Sequence, residues 1–158
     1  MNKRFSALIL VFALNVAVTF LVSLLPVDTP TGIAITERVE TMREIVNTEG
    51  LGVPYIFGNN LMITLPSFIP LAGIGWFLVL AYNNGVAISA VNIPFTVFLM
   101  PYFVLEYMAS SIAVVEGTWV ISDMMSKKPT KEIVERVLRN IGICSVVLFL
   151  SAIIEMVI

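Results

Sequence analysis

Three glutamates stand inside apolar stretches of this 158-residue chain, while the nine Lys and Arg residues lie elsewhere. An ionised carboxylate within hydrocarbon costs at least about 2.5 kcal/mol on insertion scales, so each such acid must stay protonated, find hydrogen-bond donors or hold a cation. Glu106 is the sharpest case, because Pro94 to Ile121 contains only Glu106 and Glu116 as charged residues. Counted inward from Ile121 at about 1.5 Å per residue, Glu106 lies about 22 Å deep and Glu116 about 7 Å. Glu106 is therefore expected near the membrane midplane, whereas Glu116 can reach the headgroups. With no Lys or Arg at the depth of Glu106, its expected partners are neutral: Asn59, Asn60, Asn83 and Asn84, with Ser110 one turn along its own helix. An amide both gives and accepts hydrogen bonds, so it can satisfy either protonation state of the acid.

The same residues argue against catalysis. Glu106 and Glu116 sit about 15 Å apart along one helix, too far to act on a single reacting atom. Histidine is absent, which excludes His-dependent triads and His-ligated zinc or haem, and Cys144 is the only cysteine. It is read as a small apolar filler of the last helix. No catalytic residue, metal or cofactor is expected.

The elements that must hold these groups follow from composition. With 58% hydrophobic and 13% charged residues and a mean hydropathy of +0.97, the chain is too apolar for a soluble domain. The expectation is an all-α polytopic transmembrane helix bundle forming a single domain over residues 1–158. A hydrocarbon core of about 30 Å needs roughly 20 helical residues per crossing. The first apolar run, Phe5 to Leu25, follows Lys3 and Arg4; it is long for a signal peptide and lacks a cleavage pattern, so it reads as a retained helix. Pro26 to Gly50 is acidic, with Asp28, Glu37, Glu40, Glu44 and Glu49 against Arg38 and Arg43. Asp123 to Asn140 is basic, with Lys127, Lys128, Lys131, Arg136 and Arg139. The positive-inside rule then puts the N-terminus and the basic stretch in the cytoplasm and the acidic stretch outside. Five spans follow, near residues 5–25, 53–67, 69–91, 94–121 and 141–158, with the C-terminus outside the cell membrane.

Local signals refine this frame. Thr29 and Pro30 form a helix start, after which Ile35, Val39, Met42 and Val46 share one face opposite Glu37, Glu40 and Glu44. That pattern predicts an amphipathic helix lying on the outer surface. Asn83-Asn84-Gly85 is a turn-type sequence able to break the third span. Pro101 is expected to kink the fourth, since it removes the hydrogen bond to the Val97 carbonyl. Ala109, Ala113 and Gly117 form a small-residue ridge that lets another helix approach closely. Glu132 with Arg136 and Glu135 with Arg139 read as exposed i,i+4 pairs on a helix running from Thr130 into the last span.

Several of these residues, in this order and spacing, resemble the stage II sporulation protein M family of small multi-pass membrane proteins. The resemblance rests on Phe57-Gly58-Asn59-Asn60 for the family's paired Asn, Asn84-Gly85 for its Asn-Gly, and Pro101-Tyr102-Phe103-Val104-Leu105-Glu106 for its Pro-His-Gly-x-x-Glu, followed by Ala109 and Gly117. Tyr102 and Phe103 stand where the family usually has His and Gly. The resemblance implies a helical multi-pass fold with a structural or assembly role, as in the membrane complex that remodels the wall during engulfment. The expected function is thus a non-enzymatic scaffold or assembly subunit. The rival is a small oligomeric channel or transporter holding a proton or cation at Glu106. The partners expected are membrane lipid and further copies of the chain or other membrane proteins, with no nucleic acid.

Overall fold

A computed structural model describes residues 3–48, 52–91 and 100–157. Every regular element among them is helical: α1 (Lys3–Ser23), α2 (Thr29–Thr48), α3 (Gly52–Thr64), a 3₁₀ turn (Leu65–Phe68), α4 (Ala72–Val91), α5 (Pro101–Met125) and α6 (Thr130–Val157). Four of these, α1, α4, α5 and α6, are long and apolar enough to cross a membrane. Their outer faces expose large side chains such as Leu10, Leu21, Leu78, Val146 and Phe149, an apolar surface suited to lipid and too extensive for water. The chain is a membrane protein with an all-α bundle.

Contacts between helices fix their directions. Arg4 meets Asp123 and Asn15 meets Ser110, so α1 and α5 are antiparallel. Ser89 donates to the Leu25 carbonyl at 2.7 Å, and Gly85 lies against Thr19 and Val22, so α1 and α4 run the same way. The α3 helix packs on α5 and α6 and runs parallel to α5, since Asn60 meets Glu106 and Phe68 meets Gly117; Phe57 sits edge-on against Phe149 of α6 with ring centroids 5.7 Å apart, and Trp76 of α4 donates to the Ile63 carbonyl at 2.8 Å. That bond satisfies a carbonyl that the end of α3 leaves without a helical donor. Among the described residues α1, α3, α4, α5 and α6 alternate in direction, but α3 is short. The 13 residues of α3 span about 20 Å, less than the hydrocarbon thickness.

The break after α3 has a local cause. Pro66 cannot continue the α-helical ladder, and Leu71 after Pro70 adopts φ 64°, a left-handed conformation rarely taken by a branched side chain. The turn is packed tightly on two glycines. A Cβ on Gly73 would stand 2.2 Å from the Ser67 carbonyl oxygen, and one on Gly117 would stand 3.0 Å from the carbonyl oxygens of Ser67 and Phe68. Asn83-Asn84-Gly85, by contrast, does not break α4, which is continuous from Ala72 to Val91. Gly85 is there for close approach, since a Cβ would lie 2.6 Å from Val22 Cβ and 2.7 Å from the Thr19 carbonyl oxygen.

Other boundaries also differ from expectation. Pro101 does not kink a helix but begins α5 behind the extended residue Met100. Pro suits the first helical position, and it disfavours helical geometry in the residue before it. The predicted start of that span at Pro94 lies outside the described residues. The far end of α5 runs on past Ile121 to Met125. There Lys127 takes φ 55°, while the N–H of Lys127 reaches the Met124 carbonyl and that of Lys128 the Asp123 carbonyl, closing a Schellman turn before Pro129. From Thr130, α6 continues without interruption into the last span. The α2 helix is capped by Asp28 rather than Thr29: Asp28 Oδ2 accepts from the Thr31 N–H at 3.2 Å and from the Thr31 hydroxyl at 3.0 Å. These two bonds hold the exposed Asp28 carboxyl below its ordinary range. The α2 backbone packs on α3 and α4; the side chains of Val39, Met42 and Val46 lie outside the described residues.

Candidate functional site

The α5–α6 hairpin positions both acids of α5. Residues at matched distances from the Lys127 turn face each other, and α6 presents Ile133, Arg136, Asn140, Cys144, Leu148 and Ser151 along one stripe. Ala109 and Ala113, both fully buried, let this stripe approach. Cys144 fits against them, its thiol donating to the Ala109 carbonyl at 3.3 Å. Gly117, the third member of the ridge, receives the 3₁₀ turn instead of α6.

Glu106 is half-buried and bonded to two other helices. Asn60 Nδ2 of α3 donates to Glu106 Oε1 at 2.5 Å, and Ser151 Oγ of α6 donates to the same oxygen at 3.3 Å. The single Ser151 proton is shared with the Tyr102 carbonyl at 3.0 Å, which ties α6 to the first turn of α5. No ion pair reaches Glu106 among the described residues, so its immediate partners are neutral. Both bonds end on Oε1. Among the described residues no hydrogen bond ends on the second oxygen, Oε2, and Glu106 lines a cavity of about 500 Å³.

That cavity gathers much of the predicted polar set. Asn60, Asn83, Asn84 and Ser110 line it with Glu106, and Asn15, Tyr107 and Arg38 join them. Asn59 stands behind Asn60, donating to its Oδ1 at 3.4 Å. Ser110 does not contact Glu106; it accepts from Asn15 Nδ2 of α1 at 3.1 Å, and its own hydroxyl turns to the Tyr107 carbonyl. Tyr107 in turn faces Thr19 and Asn84. Sequence reasoning missed Asn15, Tyr107 and Ser151. A signal for Ser151 was available, because the hairpin register sets it opposite Glu106. Arg38 also corrects an expectation: α2 packs on α3 and α4, and this brings one cationic side chain to the wall of the cavity.

The second acid departs further from expectation. Glu116 is buried within the bundle, 4% exposed, and it has a basic partner in its own subunit. Arg136 Nε donates to Glu116 Oε1, Arg136 Nη1 donates to Asp123 Oδ2, and Asn140 Nδ2 donates to Glu116 Oε2 at 2.6 Å. Asp123, 3% exposed, also pairs with Lys128 at 2.6 Å and with Arg4 at 3.3 Å. Arg4 in addition lies over the Trp119 ring, 5.6 Å from its centroid. Arg136 is thus turned inward, away from the exposed pair with Glu132 that helix spacing suggested. The i,i+4 pair that does form joins Lys131 to Glu135 at 3.8 Å.

Chemically, the molecule holds two separate polar centres. One is a charge-compensated cluster that joins the start of α1, the end of α5 and the start of α6. The other is the Glu106 carboxyl, held by neutral donors at the wall of a polar cavity with the Glu155 carboxyl in its neighbourhood. Among the described residues, no three of His, Cys, Asp and Glu come together as a metal site. No known protein family, curated protein or solved structure matches the chain.

Proposed function

We propose that the chain is a non-enzymatic multi-pass membrane protein that acts as a scaffold or assembly subunit, with Glu106 as an internal polar lock. The observation that carries this reading is the convergence of donors from α3 and α6 on one carboxylate oxygen of α5. Within a bilayer such bonds contribute modestly, about 0.6 kcal/mol on average, but they fix which helix faces meet. The resemblance to the stage II sporulation protein M family supports the same reading, since the residues that carry it are contact residues here. Asn60 bonds Glu106, Gly85 seats α4 on α1, and Gly117 receives the 3₁₀ turn. Arg4, Asp123 and Lys128 meet at one end of the bundle. By the positive-inside rule that end is cytoplasmic, and the C-terminus lies outside the cell membrane.

A second reading, a small channel or transporter with a proton or cation site at Glu106, draws support from the cavity that this residue lines. Flux in reconstituted vesicles separates the two. The scaffold reading expects no proton- or ion-driven flux, with Glu106→Gln as stable and as helical as the parent. Flux that the substitution abolishes would contradict it.

A further inference from the structure

The lock leaves one oxygen of Glu106 unused, and the space it opens on has a definite chemical character. At about 500 Å³ the cavity is within the range of small-molecule sites, roughly 300–1,000 Å³. Among the described residues, Glu106 and Arg38 are the acid and the base of its lining, and much of the remaining polar wall is the amides of Asn15, Asn60, Asn83 and Asn84. Glu106 and Arg38 are not joined by an ion pair. Each group therefore remains open to a ligand that brings the opposite charge, with neutral hydrogen-bonding groups beside it. A lone metal cation would leave most of this volume unfilled and would face the guanidinium. A lone anion would face the carboxylate. A molecule carrying both charges leaves neither uncompensated.

We propose that the cavity binds a small zwitterion, its ammonium on Glu106 Oε2 and its carboxylate on the Arg38 guanidinium, with the Asn amides bonding the groups between. The guanidinium fork matches a carboxylate bidentately, and an ammonium offers three donors to carboxylate and amide oxygens. This goes beyond the scaffold reading and does not depend on it, because it uses the oxygen and the cation that the lock does not.

The test is thermal unfolding of the full chain in lipid nanodiscs with glycine, β-alanine and γ-aminobutyrate, against ethanolamine, acetate and sodium chloride at equal ionic strength. At least one amino acid should raise Tm saturably, and the three controls should not. Arg38→Gln should keep the unliganded Tm and weaken binding by about ten-fold, as expected for one charged hydrogen-bonding partner. Glu106→Gln should also lose the ligand shift. Its unliganded Tm reports on the lock separately, so failure of one idea is not failure of the other. The proposal is overturned if no amino acid shifts Tm, if ethanolamine or acetate matches the shift, or if the shift survives both substitutions.

Discussion

Replacing Arg136 by Met tests the charge cluster at the Lys127 end of the bundle. The long apolar chain preserves the stem's packing, and only the guanidinium is lost. Asp123 retains Lys128 at 2.6 Å and Arg4 at 3.3 Å, so its charge stays compensated. Glu116, 4% exposed, retains only the Asn140 amide among the described residues. Breaking a buried pair by removing one partner typically costs about 3–5 kcal/mol; with one of the two acids still paired, the expected loss is at the low end, about 3 kcal/mol. Neutralising the stranded acid should reverse much of this. Glu116→Gln combined with Arg136→Met should therefore lie within about 1–2 kcal/mol of the parent, since a neutral amide in that position has Asn140 as a partner. The assay is reversible unfolding in mixed micelles titrated with dodecyl sulfate, followed by far-UV circular dichroism. A single Arg136→Met variant within about 0.5 kcal/mol of the parent, or a double variant worse than the single one, would refute the reasoning.

Gly85→Ala should destabilise by about 1–3 kcal/mol in the same assay, because the new methyl meets a backbone oxygen of α1 that cannot swing aside, whereas Gly75→Ala, with no atom within 4 Å, should be neutral or slightly stabilising. Glu106→Gln should stay within about 0.5 kcal/mol of the parent, since its amide oxygen still accepts from Asn60, while Glu106→Ala should lose about 1 kcal/mol by stranding the Asn60 donor, Ser151 keeping the Tyr102 carbonyl; equal losses in unfolding measurements would count against the lock. Because the folded Asp28 carboxyl titrates below its ordinary value of 3.8, its capping contribution is fully present above that pH and is lost as pH falls through the lower folded value. Amide exchange at Thr31 and Gly32 should thus show α2 fraying on acidification below 3.8 in the parent, and Asp28→Asn, which caps without titrating, should remove that pH dependence.

Fold class was legible because it depends on composition and run length, and these leave little alternative to helices in lipid. The burial of Glu106 against neutral donors was legible for the same reason, since the run around it contains no base. Glu116 was misjudged because depth alone cannot say which neighbouring helix supplies a partner. The Schellman turn at Lys127 sets α5 and α6 in antiparallel register, and that register carries Arg136 and Asn140 to Glu116. Helix spacing within α6 also pairs Arg136 with Glu132, so the local signal and the tertiary one compete; two buried acids outweigh one exposed glutamate. Gly85 posed a similar ambiguity. Asn-Gly favours a turn, but a glycine is equally needed where two helix backbones nearly touch, and only the position of α1 decides between these uses.

The lock itself is tested most directly by a double-mutant cycle on Asn60 and Glu106. Unfolding free energies of Asn60→Ala, Glu106→Ala and the double variant should be non-additive, with a coupling of about 0.6–1.7 kcal/mol, the range seen for hydrogen bonds between membrane helices. Additive losses, agreeing within about 0.3 kcal/mol, would mean that Asn60 and Glu106 do not hold α3 to α5.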